Sequence, residues 1–237
     1  MSGAGKFCGI IVAAGRGVRF GRPKQLVEVA GRPLIAWSLA AFGAMREIEH
    51  LVVATAPEHI EGMQRLAATW AQRLTTSVIA GGATRQGSVR AALAAVPPAC
   101  DAVFVHDGAR PLVQVDEVRS GMALVKTGVA SLLATPVVDT IKAVAQGSRI
   151  VAGTLDRREL WAAQTPQFAM LADLRRAHEA ALRDQIEATD DAALLERIGI
   201  EVVVVPASGE NFKVTLRGDR DLAETILRER SSLVPKR

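Results

Sequence analysis

The sequence predicts an α/β protein: a mostly parallel sheet with helices on both faces. Short apolar runs of strand length alternate with helical patterns over the first 135 residues, the repeat that βαβ units leave in a chain. The first of those runs leads into a glycine-rich basic loop. The loop after the first strand of an open α/β sheet is a usual place for a ligand. Beyond residue 136 the alternation breaks, which predicts an excursion from the sheet.

Residues 7–13 form the first strand, an apolar run without a charge. A helix over 33–42 carries proline in its first turn, where the missing N–H costs nothing. A second strand at 51–55, a helix over 57–74 and a third strand at 77–80 follow. Thr84 caps a helix running to residue 95, and Pro97-Pro98 prevents its continuation. The fourth strand is 102–106, then a helix over 115–126 and a fifth strand at 129–135. Residues 137–153 read as two short strands around Gln146-Gly147-Ser148, which has hairpin chemistry. Asp139, Lys142 and Arg149 argue against a buried strand there. Such a hairpin needs its apolar side covered, and a second subunit is the expected cover. The chain returns through 160–168 into a helix over 171–182. Thr189-Asp190-Asp191 opens the next helix, with a capping side chain and acids in its first turn. A strand at 201–205, a short one at 212–215 and a helix over 219–230 complete the chain, with a frayed tail expected at 231–237. The expected organisation is a single domain, 1–237, with an arm near 137–158.

Hydrophobic residues make up 49% of the 237, enough for a large core, which excludes a disordered chain. The net charge of +4 is too small for a nucleic-acid coat, and no basic patch with interleaved aromatics occurs, so no nucleic-acid partner is expected. No signal peptide and no apolar run of spanning length is present, so a soluble cytoplasmic protein without a membrane partner is expected. Cys8 and Cys100 lie in neither a CxxC nor a metal-ligand spacing and read as free thiols in a reducing compartment.

The loop from Ala13 to Gln25 holds three glycines, three arginines and a lysine. Glycine lets the backbone approach a ligand closely, and this much positive charge asks for an anion. A dinucleotide site would want an acid about 20 residues on, where the chain has Leu39-Ala40-Ala41-Phe42. A P-loop is excluded because Lys24 does not follow the last glycine in the required arrangement. What remains is a glycine loop with Arg19 and Lys24 able to close over phosphates. The competing reading is a solvated basic turn. Gly81 to Ser88 has small residues with free backbone groups that suit a planar base, and otherwise reads as a turn and helix cap. Asp107 at a strand tip is placed to hold Mg²⁺ beside phosphates, or else to pair with Arg110. His106 reads as a hydrogen-bonded core or wall residue rather than a catalyst. Thr140, Lys142, Arg157, Thr165, Thr189 and Lys213 read singly as surface residues, although Lys213 interrupts an apolar pattern and points to the other face.

Taken in order, several stretches resemble one family over nearly the whole chain. They are Ala13-Ala14-Gly15-x-Gly17-x-Arg19 with Pro23-Lys24-Gln25, Gly81-Gly82 with Arg85 and Ser88-Val89, His106-Asp107 with Ala109-Arg110-Pro111, Pro136-Val137 with Asp139-Thr140 and Lys142, Thr165-Pro166-Gln167-Phe168, and Lys213-Val214-Thr215. The set resembles 2-C-methyl-D-erythritol 4-phosphate cytidylyltransferases of the non-mevalonate isoprenoid pathway, with no room for the cyclase domain of bifunctional relatives. The resemblance implies a Rossmann-like, GT-A-like nucleotidyltransferase sheet with a β-hairpin arm that embraces a partner in a homodimer. It implies CTP and methylerythritol phosphate as substrates and Mg²⁺ as cofactor. It implies that Arg19 and Lys24 stabilise the transition state, and that Arg157 and Lys213 position the sugar phosphate. Ala13, Ala14, Gly15, Gly17, Gly82 and Ser88 would line the nucleotide site, with Asp107 on the metal. Thr140, Thr165 and Thr189 would contact the sugar phosphate, Thr140 and Arg157 in the neighbour's site. Gly108 and Ala83 depart from the family pattern, which has alanine at the first position and aspartate in some members at the second. The alternatives are a ribitol 5-phosphate cytidylyltransferase and a non-catalytic nucleotide-binding module.

Overall fold

The computed structural model describes residues 5–15 and 23–232. The chain runs β1 (Phe7–Ala13), a small ribbon of β2 (Glu28–Val29) and β3 (Arg32–Pro33), α1 (Leu34–Gly43), β4 (Ile48–Thr55), α2 (Ile60–Trp70), β5 (Thr75–Ala80), α3 (Arg85–Ala95), β6 (Ala102–Asp107), α4 (Val115–Leu124) and β7 (Val129–Pro136). It continues through β8 (Lys142–Val144), β9 (Val151–Thr154), β10 (Trp161–Met170), α5 (Leu171–Arg183), α6 (Asp191–Arg197), β11 (Glu201–Pro206) and α7 (Arg217–Ser232).

Seven strands form one sheet in the order β11-β7-β10-β6-β1-β4-β5. β1 pairs in parallel with β4 and β6, β4 with β5, and β7 with β11. β10 runs antiparallel between β6 and β7. The expected mostly parallel sheet is therefore present, and the C-terminal ends of β1, β4, β5 and β6 share one edge. Alternate residues of each strand face opposite layers. Ile11, Leu39, Phe42, Phe104 and Phe168 bury into one core layer. Ile10, Val52, Val89, Val103, Val105 and Leu174 bury into the other. The Phe42 and Phe104 rings meet at 4.7 Å. Each such side chain contributes roughly 1.5–3 kcal/mol of burial, so the strand tips stand on a well-packed base.

The hairpin appears where its turn chemistry put it. β8 and β9 pair antiparallel as a separate two-stranded sheet, and Gly147 adopts the positive φ of 77° that the turn requires. Val138 and Ile150 on this arm are about four-fifths exposed, at 78% and 81%.

Three expectations are corrected. Residues 212–215 are not a strand; Val214 is held by one backbone bond to the Ala109 carbonyl (2.9 Å). The cysteines are not free: Cys8 on β1 and Cys100 just before β6 form a disulfide, with Cα atoms 6.0 Å apart. The pairing of β1 with β6 brings together two residues separated by 92 positions, which no local spacing could reveal. Residues 231 and 232 belong to α7 rather than to a frayed tail. Among the described residues no helix is long and apolar enough to cross a membrane.

Candidate active site

The shared edge of β1, β5 and β6 carries a cleft of about 690 Å³. Ala14 and Gly15 follow β1 into it, and Gly81 to Ser88 follow β5. Thr84 caps α3 by accepting from the Gly87 N–H (3.0 Å), as its position predicted. The Ser88 hydroxyl donates to the Thr84 carbonyl (2.9 Å) and accepts from the Gly82 N–H (3.1 Å), which folds the loop back on the helix start. Space there is so tight that a Cβ on Gly81 would stand 2.5 Å from Ala14 Cβ. One on Gly82 would stand 2.7 Å from the Gly87 carbonyl carbon. Glycine is required at both for this close approach.

Asp107 ends β6 at the floor of the cleft and is 7% exposed. Arg85 Nε donates to its Oδ1 (3.1 Å), and Lys213 Nζ donates to its Oδ2 (2.7 Å). Burial by itself would raise this carboxyl; the two cations more than reverse that and hold it well below the ordinary carboxylate range. The partner considered from sequence, Arg110, instead donates to the Asn211 carbonyl (2.7 Å). Arg85 also donates to Asp191 at the start of α6 (2.8 Å), and Asp191 meets His178 Nε2 of α5 (3.0 Å). Asp191 is fully buried, which would raise its carboxyl; Arg85 and His178 bring it below the usual range instead.

His106 is a fully buried, hydrogen-bonded core residue, one of the two places the sequence suggested for it, and it lines neither the cleft nor the smaller pocket. Its Nε2 faces the Arg110 carbonyl (3.1 Å), so the ring proton sits there, and Nδ1 accepts from the Thr165 hydroxyl (3.2 Å). Burial pushes its pKa down to about 4 and keeps the ring neutral. Thr165 Oγ1 also accepts the Asp107 N–H (3.0 Å), so it fixes the strand tip from β10, beside the cis Thr165–Pro166 bond.

A second pocket, of about 230 Å³, adjoins the cleft across Arg85, Asp107 and Lys213. Thr165, Thr189 and Arg110 line it. Gln167 accepts from the N–H groups of Asp191 (3.0 Å) and Ala192 (2.9 Å) and donates to Asp190 (2.8 Å), tying the Thr189 segment to β10.

The structure thus gathers Ala14, Gly15, Lys24, Gly82, Ser88, Asp107 and Lys213 in one cleft, with Thr165 and Thr189 beside it. Lys24 Nζ donates to the Val214 carbonyl (3.0 Å), which brings the first loop and the Lys213 segment together. Ala13 is buried within β1 behind the cleft. Arg19 and Gly17 lie outside the described residues. Thr140 and Arg157 lie exposed on the arm and line neither pocket; Arg157 Nη1 donates to the Val138 carbonyl (2.5 Å). Sequence reasoning missed the bridging role of Arg85, the buried Asp191 and the Gln167 tie. Their partners lie 13 to 106 residues away, and only the Gly-Gly-x-x-Arg spacing hinted at Arg85.

Among the described residues no three His, Cys, Asp or Glu side chains cluster to hold a metal. Asp107 is the buried carboxylate at the floor of the open cleft, and the exposed Glu58 also lines it. That fits Mg²⁺ shared with substrate phosphates, which needs only one or two protein carboxylates.

The family model for 2-C-methyl-D-erythritol 4-phosphate cytidylyltransferase (IspD) matches residues 7–229. A protein of that name from Dictyoglomus thermophilum is 35% identical over 230 residues, covering 97% of this chain and 99% of its own. One from Thermosynechococcus vestitus is 41% identical over 223 residues, covering 93% and 95%. The crystal structure of the Thermus thermophilus enzyme of that name superposes with a TM-score of 0.74 at 32% identity, covering 92% of this chain and 98% of its own.

Proposed function

The chain belongs to the 2-C-methyl-D-erythritol 4-phosphate cytidylyltransferase family, and we infer from that membership and from the cleft that it transfers CMP from CTP to 2-C-methyl-D-erythritol 4-phosphate, releasing pyrophosphate. The observation that carries the reading is the shared floor. Asp107 and Lys213 stand where a nucleotide-sized cleft meets a small polar pocket, so two anionic substrates can meet there.

The chemistry needs no general base. A phosphate monoester has its second pKa near 6, so its oxygen is already a competent nucleophile at neutral pH. That oxygen attacks the α-phosphorus of CTP in line; the new P–O bond forms as the bond to the β-phosphate oxygen breaks, and pyrophosphate leaves with the electron pair. The protein has to overcome repulsion between two anions and to align them. Lys24 neutralises charge at the triphosphate, with Arg19 as the second cation of the clamp. The Gly81-Gly82 turn and Ser88 seat the cytidine. Thr189 and Lys213 receive the sugar phosphate. Asp107 would hold Mg²⁺, whose charge would draw electrons from the phosphates and orient the leaving group.

The arm is read as a dimerisation element. Val138, Ile150 and Val151 are exposed apolar residues on a hairpin that pairs with no other sheet among the described residues, and a second copy would cover them. Thr140 and Arg157 would then serve the neighbour's site.

Pyrophosphate release from CTP and Mg²⁺ with each sugar phosphate in turn tests the reading. Release with methylerythritol phosphate is expected. Release only with ribitol 5-phosphate would replace the acceptor, and release with neither would leave a nucleotide-binding module.

A further inference from the structure

The two cations on Asp107 are not held alike. Arg85 occupies Oδ1 and has a second anchor in Asp191, itself only 2% exposed and fixed by His178 and Gln167. Its side chain is 24% exposed. Lys213 occupies Oδ2 from a segment outside the sheet, its side chain is 41% exposed, and Asp107 is its one ion-pair partner among the described residues. Lys213 also lines both pockets, so its ammonium can leave the carboxylate for the smaller one without leaving the site.

Oδ2 cannot serve a divalent ion while an ammonium sits 2.7 Å from it. A divalent ion on that oxygen would lie only a few ångströms from the ammonium, and like charges that close repel strongly in a partly desolvated cleft. We propose that Lys213 is an exchangeable cation: it neutralises Oδ2 of Asp107 in the free protein, yields that oxygen when Asp107 takes up the divalent ion accompanying CTP, and then binds the sugar phosphate in the adjoining pocket. This rests on the reading of Asp107 as the metal ligand. Arg85 stays in place throughout and keeps Oδ1 and the carboxylate plane fixed. The exchange makes the order of charges matter. The pocket for the second anion gains its cation only after the first substrate is seated.

Titration calorimetry of CTP, without sugar phosphate, gives two dissociation constants for the full-length protein, one in Mg²⁺ and one in EDTA. Their ratio measures how much the metal helps. If Lys213 must be displaced, Lys213→Met raises that ratio about fivefold over the wild type, the scale of one partly exposed ion pair. Lys213→Gln, which keeps a polar side chain at this half-exposed position, raises it similarly. A ratio unchanged or lowered in both variants overturns the exchange, because a lysine serving only the sugar phosphate or only stability would not move it upward. Asp107→Asn separates the underlying reading: its ratio should fall toward one. If Asp107→Asn keeps the wild-type ratio, Asp107 is not the metal ligand and the proposal falls with that reading. A fall there with no rise in the lysine variants overturns the exchange alone.

Discussion

Arg85→Met removes the guanidinium that bridges Asp107 and Asp191. Asp191 is then a carboxylate, 2% exposed, with His178 as its remaining ion partner. Breaking a buried ion pair on one side costs about 3–5 kcal/mol, because the other charge stays buried. Arg85 keeps some solvent contact, and Asp107 retains Lys213, so the expected loss lies at the lower end, about 3 kcal/mol. Asp191→Asn added to Arg85→Met removes the orphaned charge while keeping an acceptor for His178. The double variant should recover about half of that loss. Urea unfolding of the wild type, both single variants and the double variant closes the cycle, with unchanged m-values showing that stability alone moved. A single variant within about 1 kcal/mol of the wild type would refute the reasoning, as would a double variant no more stable than Arg85→Met. The same substitution should raise the KM for CTP, since Arg85 also fixes the carboxylate at the cleft floor.

Stability should fall between pH 7 and pH 5, since His106 has a folded pKa of about 4 against about 6.5 unfolded. The sign follows because the unfolded chain binds the proton that the folded one refuses: the contribution is full above the unfolded value and is lost as pH falls toward about 4, roughly 2 kcal/mol by pH 5. His50, also lowered by burial, adds to the same window, whereas the depressed Asp107 and Asp191 act only at more acid pH; thermal melts of His106→Gln should lose most of the slope, and an unchanged slope would contradict the assignment. Gly82→Ala places a Cβ against the Gly87 backbone, so about 1–3 kcal/mol of stability and some CTP affinity should be lost; unchanged melting and KM would show that the loop has room. Lys24→Ala should cut kcat about a hundredfold with much less effect on CTP binding, and near-normal turnover would remove it from the clamp. Arg157→Ala should raise the KM for the sugar phosphate; if the arm of each protomer serves the other's site in a two-fold dimer, mixing with Lys24→Ala protomers should restore roughly a quarter of wild-type activity, because each heterodimer would then hold one intact site. No recovery on mixing would place Arg157 in its own protomer's site or in none.

The sheet was legible because its strands are continuous apolar runs of strand length, as in β1 and β4, and because Thr84, Pro97 and Gly147 punctuate them locally. The nucleotide loops were legible for the same reason: Gly81, Gly82 and Ser88 act within eight residues of one another. What escaped was non-local. The Arg85–Asp191–His178 chain joins α3, α6 and α5; Arg85 and Asp191 taken singly look like ordinary helix-terminal charges, and His178 like a buried mid-helix residue. Asp191 read as a first-turn acid, which it is, but its buried carboxylate binds Arg85 of α3 and His178 of α5. Arg110 is nearer to Asp107 in sequence than Arg85 or Lys213, yet β6 and the segment after it turn it toward Asn211. The disulfide was hidden likewise, since only strand pairing brings Cys8 to Cys100.

The direct transfer itself is best followed with methylerythritol phosphate carrying heavy oxygen in its phosphate, incubated with CTP, Mg²⁺ and the protein, and read by phosphorus NMR. Attack by the sugar phosphate on the α-phosphorus predicts a diphosphate ester that retains the label in its bridging oxygen. Unlabelled pyrophosphate should appear with it, one for one. Label in the pyrophosphate, or CTP left unconsumed beside the sugar phosphate, would contradict the account.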